Sequence, residues 1–64
     1  MRIDRGKMAG TLARKDMQLK ELSALSGVCL QTLSLVRNGK SCREDTARKI
    51  AAALGVDVTE LMED

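Results

Sequence analysis

The sequence predicts an all-α protein, a compact bundle of five short helices that forms a single domain over residues 1–64. The chain contains no proline, β-branched runs are absent, and apolar residues recur at helical spacing along its length. With 64 residues, it has room for only one small core. That core must be built from Leu, Ile, Val, Ala and Met, because Phe, Tyr and Trp are missing.

The first two helices are predicted over residues 4–15 and 18–26. Met8 and Leu12 lie four residues apart and would share the inner face of the first helix. Gly27 would end the second helix, since glycine adopts the left-handed backbone conformation easily.

The third and fourth helices are predicted over residues 30–37 and 45–54. The pair Asn38-Gly39 suits the positive φ that often ends a helix, and it follows the third helix directly. Ser41 and Glu44 have capping-box spacing before the fourth helix. The inner face of that fourth helix would carry Ala47, Ile50, Ala51 and Leu54.

A fifth helical turn is predicted after Gly55, within residues 57–62. Asp57 supplies an acceptor side chain three residues before Glu60, which again fits a capping box. This last turn would carry Leu61 and Met62.

The composition argues against an enzyme, a metal site and a membrane span. Without histidine the commonest general base is missing, and Cys29 and Cys42 alone cannot complete a tetrahedral zinc site. We expect both thiols to be free. No apolar run approaches the ~20 residues of a membrane span, and no signal peptide is evident. We therefore expect a soluble, cytoplasmic protein without a cofactor, a small-molecule ligand or membrane contact.

The charge is distributed unevenly along the chain. Residues 1–43 contain nine Lys or Arg and three Asp or Glu, a net charge of +6. Residues 44–64 contain two basic and six acidic residues, a net charge of −4. Such a domain would turn its basic end toward a polyanion, although ordinary solvated surface charge is the simpler alternative.

Residues 19–38 fit the helix-turn-helix of DNA-binding proteins, in which two helices cross through a short turn that often contains glycine. The close crossing requires a small residue in the first helix and apolar residues that hold the second helix in place. A purely structural helix hairpin would share the apolar positions but would need the small residue and the glycine less often. The residues that satisfy the motif are Leu22, Ser23, Gly27, Val28, Leu33 and Val36.

The chain resembles the Cro and phage-repressor (Xre-like) helix-turn-helix regulators over residues 3–62. The resemblance is carried, in order, by "KDMQLKELSALSGV", "TLSLVRNGKS" and "TARKIAAALGVDVTELM". It implies a five-helix domain whose third helix enters the major groove of double-stranded DNA, usually as part of a homodimer.

The resemblance also implies which residues would contact DNA. Gln31 would be the best base reader, because a glutamine amide can pair with adenine through two hydrogen bonds. Cys29 stands where the family usually has a Ser or Thr N-cap, so that helix end should be weakly capped. The full base-reading set would be Leu30, Gln31, Thr32, Ser34 and Leu35. The phosphate-binding set would be Gln18, Asn38, the Gly39 amide, Lys40, Ser41 and Arg43.

Three leucines depart from the family pattern. Leu19 stands where a phosphate-binding glutamine is frequent, and Leu30 and Leu35 stand where polar base readers are common. Leucines at these two positions could contact thymine methyl groups and select A·T-rich steps. Alternatively, Leu30 or Leu35 bends inward as the rim of the core, or all three leucines form an exposed patch for a protein partner.

The C-terminal apolar residues are open to two interpretations. Either they form a self-association surface on the side away from DNA, or they close the core of the monomer. The residues concerned are Val56, Val58, Leu61 and Met62.

The sequence thus predicts a sequence-specific transcriptional regulator, and a repressor in preference to an activator. A domain this small has no room for a separate effector pocket, so it would act by occupying an operator. The alternative is a protein-interaction module on the same scaffold, such as an antitoxin or anti-repressor subunit.

Overall fold

The computed structural model describes residues 2–63, which form four α-helices and a final 3-10 turn. Helix α1 covers Arg5–Arg14, α2 covers Leu19–Ser26, α3 covers Leu30–Arg37 and α4 covers Glu44–Leu54. The 3-10 turn covers Val58–Glu60. No helix in this part of the chain has the length and apolar character needed to cross a membrane.

The predicted fifth helix is a 3-10 turn, so the count of five helices was wrong. The predicted capping box is present: the Thr59 amide donates to Asp57 Oδ1 at 3.0 Å, and the Asp57 amide donates to Glu60 Oε2 at 3.1 Å. The turn cannot lengthen into an α-helix, because the following Leu61 is buried and its carbonyl accepts a hydrogen bond from the Asp4 amide at 2.7 Å.

The other helices begin and end close to their predicted bounds. Asp4 caps α1, its side chain accepting a hydrogen bond from the Lys7 amide at 3.0 Å. Gly27 and Gly55 end α2 and α4 at φ values of 74° and 71°, in the left-handed region where glycine is favoured. In the pair Asn38-Gly39, the positive φ belongs to Gly39, at 100°, whereas Asn38 has a φ of −85°.

The capping box predicted at Ser41 is absent. Helix α4 begins at Glu44, and its N-cap is Arg43, whose side chain caps nothing. Ser41 lies outside the helix and is exposed. Glu44 and Asp45 occupy the first turn instead, where their negative charge interacts favourably with the positive end of the helix dipole.

The helices enclose one hydrophobic core. Its largest fully buried side chains come from every helix and from both ends of the chain: Ile3, Met8, Leu22, Leu33, Val36, Ile50, Leu54 and Leu61. Helix α2 packs against both α3 and α4, so the helix-turn-helix is fixed against the rest of the domain. The core therefore holds α3 from one side and leaves its other side to solvent.

The two ends of the described chain meet. Ile3 and Met62 form an isolated antiparallel β-bridge, and Lys7 Nζ donates to the Met62 carbonyl at 2.9 Å. The spacing of apolar residues did not predict this pairing, because it joins segments almost the whole chain length apart. The contact fixes the N-terminal segment in place, with Ile3 buried in the core.

Candidate nucleic-acid interface

Helix α3 has one buried face and one exposed face. Leu33 and Val36 are 0% and 2% exposed, as predicted for residues that lock the second helix of the motif. The outer face carries the predicted base-reading residues: Leu30, Gln31, Ser34 and Leu35 are exposed, and Thr32 is half-buried. The arrangement presents a short, largely uncharged helix surface to solvent.

The turn between α2 and α3 is held by two serine hydroxyls. Ser23 Oγ donates to the Val28 carbonyl at 2.7 Å, and the Val28 amide donates to Ser26 Oγ at 3.1 Å. The motif requires only a small residue at Ser23, whereas its hydroxyl also satisfies a carbonyl that the turn would leave without a backbone partner. These hydrogen bonds fix the conformation of the turn from which α3 begins.

The start of α3 is weakly capped, as expected. Cys29 occupies the N-cap and its side chain makes no capping hydrogen bond, which leaves the first amides of the helix without a side-chain acceptor. Cys29 is exposed and is a free thiol, as is the half-buried Cys42. Burial raises the pKa of the Cys42 thiol, whereas Cys29 lies open on the same face as the base-reading residues.

The loop after α3 corrects one predicted phosphate contact. The Gly39 amide donates to the Val36 carbonyl at 3.0 Å, and the Lys40 amide donates to the Leu35 carbonyl at 3.0 Å. These bonds close the C-terminal end of α3, so the Gly39 amide is not available to a phosphate. The side chains of Asn38, Lys40, Ser41 and Arg43 are exposed, and they remain as the polar groups of this loop.

A second group of polar side chains lies at the start of α2. The exposed Gln18 precedes that helix and lies on a cleft of about 500 Å³ that also brings Lys20 and Arg37 together. The cleft floor is apolar and formed by Ala9, Leu12, Ala13, Met17 and Leu19. Lys20 and Arg37 were not predicted as site residues, because only the fold shows that the end of α3 lies near the start of α2.

The three leucines that differ from the family pattern lie in different environments. Leu30 and Leu35 are 46% and 44% exposed and lie outside the core, so the alternative that they form its rim is wrong. Leu19 packs partly buried against the core, so it cannot belong to one exposed patch with the other two. Leu25, on α2, is 63% exposed and was not singled out from the sequence.

The C-terminal apolar residues help to close the core of the monomer. Leu61 is fully buried, and Val56 and Val58 pack partly buried against the core cluster. Met62 is half-buried and bridges to Ile3. These contacts favour the interpretation that the four residues close the core of the monomer, and the predicted self-association stays a prediction.

Two basic residues near the N-terminus also reach the loop after α3. Arg2 Nη2 donates to the Gly39 carbonyl at 3.2 Å, and the Arg5 side chain lies beside the Gly39 backbone. Neither arginine was predicted as a site residue, since 37 residues separate Arg2 from Gly39 and no local pattern connects them. Within residues 2–63 no group of three or more His, Cys, Asp or Glu side chains is placed to hold a metal ion.

Comparison with known families identifies a Cro/C1-type HTH DNA-binding domain over residues 7–64. Two solved structures of PhpD, one described as native with cadmium atoms and the other as complexed with cadmium and hydroethylphosphonate, are similar across the whole chain. Each shares 26% sequence identity with it at a TM-score of 0.84. This chain corresponds to 14% of each PhpD chain, and a comparison with curated proteins finds no match.

Proposed function

Because the chain belongs to the Cro/C1-type HTH DNA-binding domain family, we propose that it is a sequence-specific transcriptional repressor that places α3 in the major groove of double-stranded DNA. The observation that carries the proposal is the division of α3 into a buried inner face and an exposed outer face. A helix anchored in this way can enter a groove without losing its packing. The protein acts by occupying its site and performs no catalysis.

Gln31 and the two exposed leucines give the outer face its proposed sequence preference. The Gln31 amide can donate to and accept from the major-groove edge of adenine, whereas Leu30 and Leu35 can contact thymine methyl groups. Ser34 is short and accepts or donates equally, so it discriminates less between bases. We therefore propose an operator rich in A·T steps beneath α3.

Two groups of polar side chains would position α3 by binding phosphates. One is the cleft group of Gln18, Lys20 and Arg37, and the other is the loop group of Asn38, Lys40, Ser41 and Arg43. The cleft group lies at the start of α2 and the end of α3, and the loop group follows α3 directly. Such contacts set the register of the helix but carry no base information.

One recognition helix covers few base pairs, so we propose that two copies bind as a homodimer. Two half-sites one helical turn apart, roughly 34 Å, would then be read on one face of the duplex. The regulated DNA lies in the cytoplasm, where we place the protein. Repression would follow from occupancy of the operator alone.

The decisive experiment is selection of bound sequences from random duplex DNA, followed by binding titrations at several salt concentrations. We expect a palindromic A·T-rich site and a steep decrease of log K with log salt, about 0.9 per phosphate contact. Gln31→Ala should change the base preference at one position in each half-site. Lys40→Ala should weaken binding to all sequences alike. A salt-independent affinity with no enriched sequence would contradict the proposal.

A second function is favoured by the exposure of Leu25, Leu30 and Leu35. Exposed apolar side chains of this size often mark a protein-binding surface, and α3 carries no charge before Arg37. The protein would then be an antitoxin or anti-repressor subunit that binds a protein partner through the same face.

The Leu30→Ala and Leu35→Ala variants separate the two functions. If these leucines read thymine, both variants lose affinity for the selected duplex and lose the preference for A·T steps. If affinity and preference remain while a protein partner is lost, the exposed face serves protein binding.

A further inference from the structure

We propose that Arg2 and Arg5 form a third phosphate-binding position, adjacent to the loop after α3. This inference rests on the proposed function, since it requires that α3 faces DNA. It extends the binding surface to a segment outside the helix-turn-helix, which neither the motif nor the family comparison assigns.

The N-terminal segment is fixed by backbone contacts with the C-terminal one. The Asp4 amide donates to the Leu61 carbonyl at 2.7 Å, and the Glu63 amide donates to the Arg2 carbonyl at 3.3 Å. The buried Ile3 lies between them in the β-bridge with Met62. Arg2 therefore extends from a fixed backbone toward the Gly39 carbonyl, to which its Nη2 donates at 3.2 Å.

Arg5 reaches the same glycine from the first turn of α1. A Cβ placed on Gly39 would lie 3.3 Å from Arg5 Cδ and 3.7 Å from Arg5 Nε. The guanidinium of Arg5 thus begins directly beside the loop, and the absence of a side chain at Gly39 gives it room. Two cationic side chains from separate parts of the chain therefore meet at one backbone position.

The electrostatics of this position favour an anion. Arg2 and Arg5 are exposed, and neither pairs with an acidic side chain within residues 2–63, where the ion pairs join Arg48 to Glu44 and Lys49 to Asp45. The neighbouring Lys40 adds a third positive charge. A guanidinium has several N–H donors in a planar fork, so Arg2 can keep its bond to Gly39 and still bind a phosphate.

This pair takes over the role that the sequence assigned to the Gly39 amide. That amide is bonded to Val36, so the loop backbone offers less to a phosphate than expected. The arginines supply charge at the same place, and charged donors bind phosphate more strongly than a neutral amide.

The test compares the wild-type protein with an Arg2→Ala, Arg5→Ala double variant on the selected duplex and on an unrelated one. We expect weaker binding to both by a similar factor, and a salt slope shallower by about 1.8 per bound domain, because two contacts of about 0.9 each are lost. An Arg2→Lys, Arg5→Lys double variant keeps both positive charges and should retain most of the wild-type slope. An Arg48→Gln, Lys49→Gln double variant removes the same charge from α4 and should leave the slope unchanged.

Failure of this inference can be distinguished from failure of the proposed function. If Lys40→Ala makes the slope shallower while the arginine variant matches the wild type, the inference is overturned and DNA binding stands. If the wild type itself binds no duplex in a salt-dependent manner, the proposed function fails and this inference fails with it. Circular dichroism melting checks that the exposed arginines can be replaced without unfolding the domain.

Discussion

At the scale of single residues, hydroxyl and carboxyl side chains fix the turns that position α3 and close the core. Ser23 satisfies the Val28 carbonyl between α2 and α3, and Asp57 caps the final 3-10 turn. Both residues were selected from the sequence by size or spacing. The spacing predicted a hydrogen bond at Asp57, because its partner Thr59 is only two residues away. It predicted none at Ser23, whose partner Val28 lies across the turn.

The cap at Asp57 should make the end of the chain sensitive to acid. Hydrogen bonds from the Thr59 backbone amide and hydroxyl lower the pKa of the Asp57 carboxyl. A carboxyl with a lowered pKa in the folded state stabilises that state above its unfolded pKa of about 3.9, and the contribution is lost as pH falls through the folded pKa. We expect Asp57→Ala to lower the melting temperature at about pH 7, with the difference from wild type shrinking as the solution is acidified toward about pH 3.

Asp57→Asn is the matched control, because its amide oxygen still accepts hydrogen bonds but does not titrate. Its melting temperature should lie between the other two near neutrality. A difference between Asp57→Ala and wild type that stays constant from neutral to acidic pH would show that the carboxylate charge contributes nothing there.

At the scale of elements, the backbone conformation of glycine decides where the helices of the motif end. Gly27 has a φ of 74°, which L side chains rarely adopt, whereas Gly10 lies within α1. A Cβ added at either glycine would meet no atom within 4 Å. The two positions thus differ in backbone conformation but not in available space.

This difference predicts opposite signs for two identical substitutions. Gly27→Ala should destabilise the fold by about 1–2 kcal/mol, because its left-handed backbone strains any side chain. Gly10→Ala should stabilise it by about 0.5–1 kcal/mol, because alanine restricts the unfolded chain and favours helix. Urea unfolding of both variants measures the effects. A change of the same sign in both would show that φ does not control the end of α2.

At the scale of the whole molecule, the small core depends on residues from both ends of the chain. Leu61 is 0% exposed and belongs to the core, whereas Leu25 on α2 is 63% exposed. Leu61→Ala should cost about 2–5 kcal/mol through lost burial and the cavity left behind. Since small domains have little stability to lose, we expect a greatly lowered melting temperature or loss of the fold.

Leu25→Ala is the control that makes the same chemical change on the surface, and it should alter stability by no more than about 0.5 kcal/mol. Thermal melting followed by circular dichroism distinguishes the two. Equal effects would mean that the C-terminal segment is not part of the cooperative unit.

The sequence by itself determined the local features of this protein. The bounds of α3 and the buried positions of the motif follow from apolar spacing, and the ends of α2 and α4 follow from glycine. These signals are readable because their causes lie within about one or two helical turns. The family resemblance followed from the same residues and was confirmed by the comparison over residues 7–64.

Only the tertiary structure decided which groups meet across the chain. It turned Leu30 and Leu35 outward while burying part of Leu19, and it placed Arg2 against a loop 37 residues away. It also replaced a predicted fifth helix with a 3-10 turn, because Leu61 is needed in the core and its carbonyl is needed by Asp4. Such contacts depend on how the helices pack, and local spacing does not encode that.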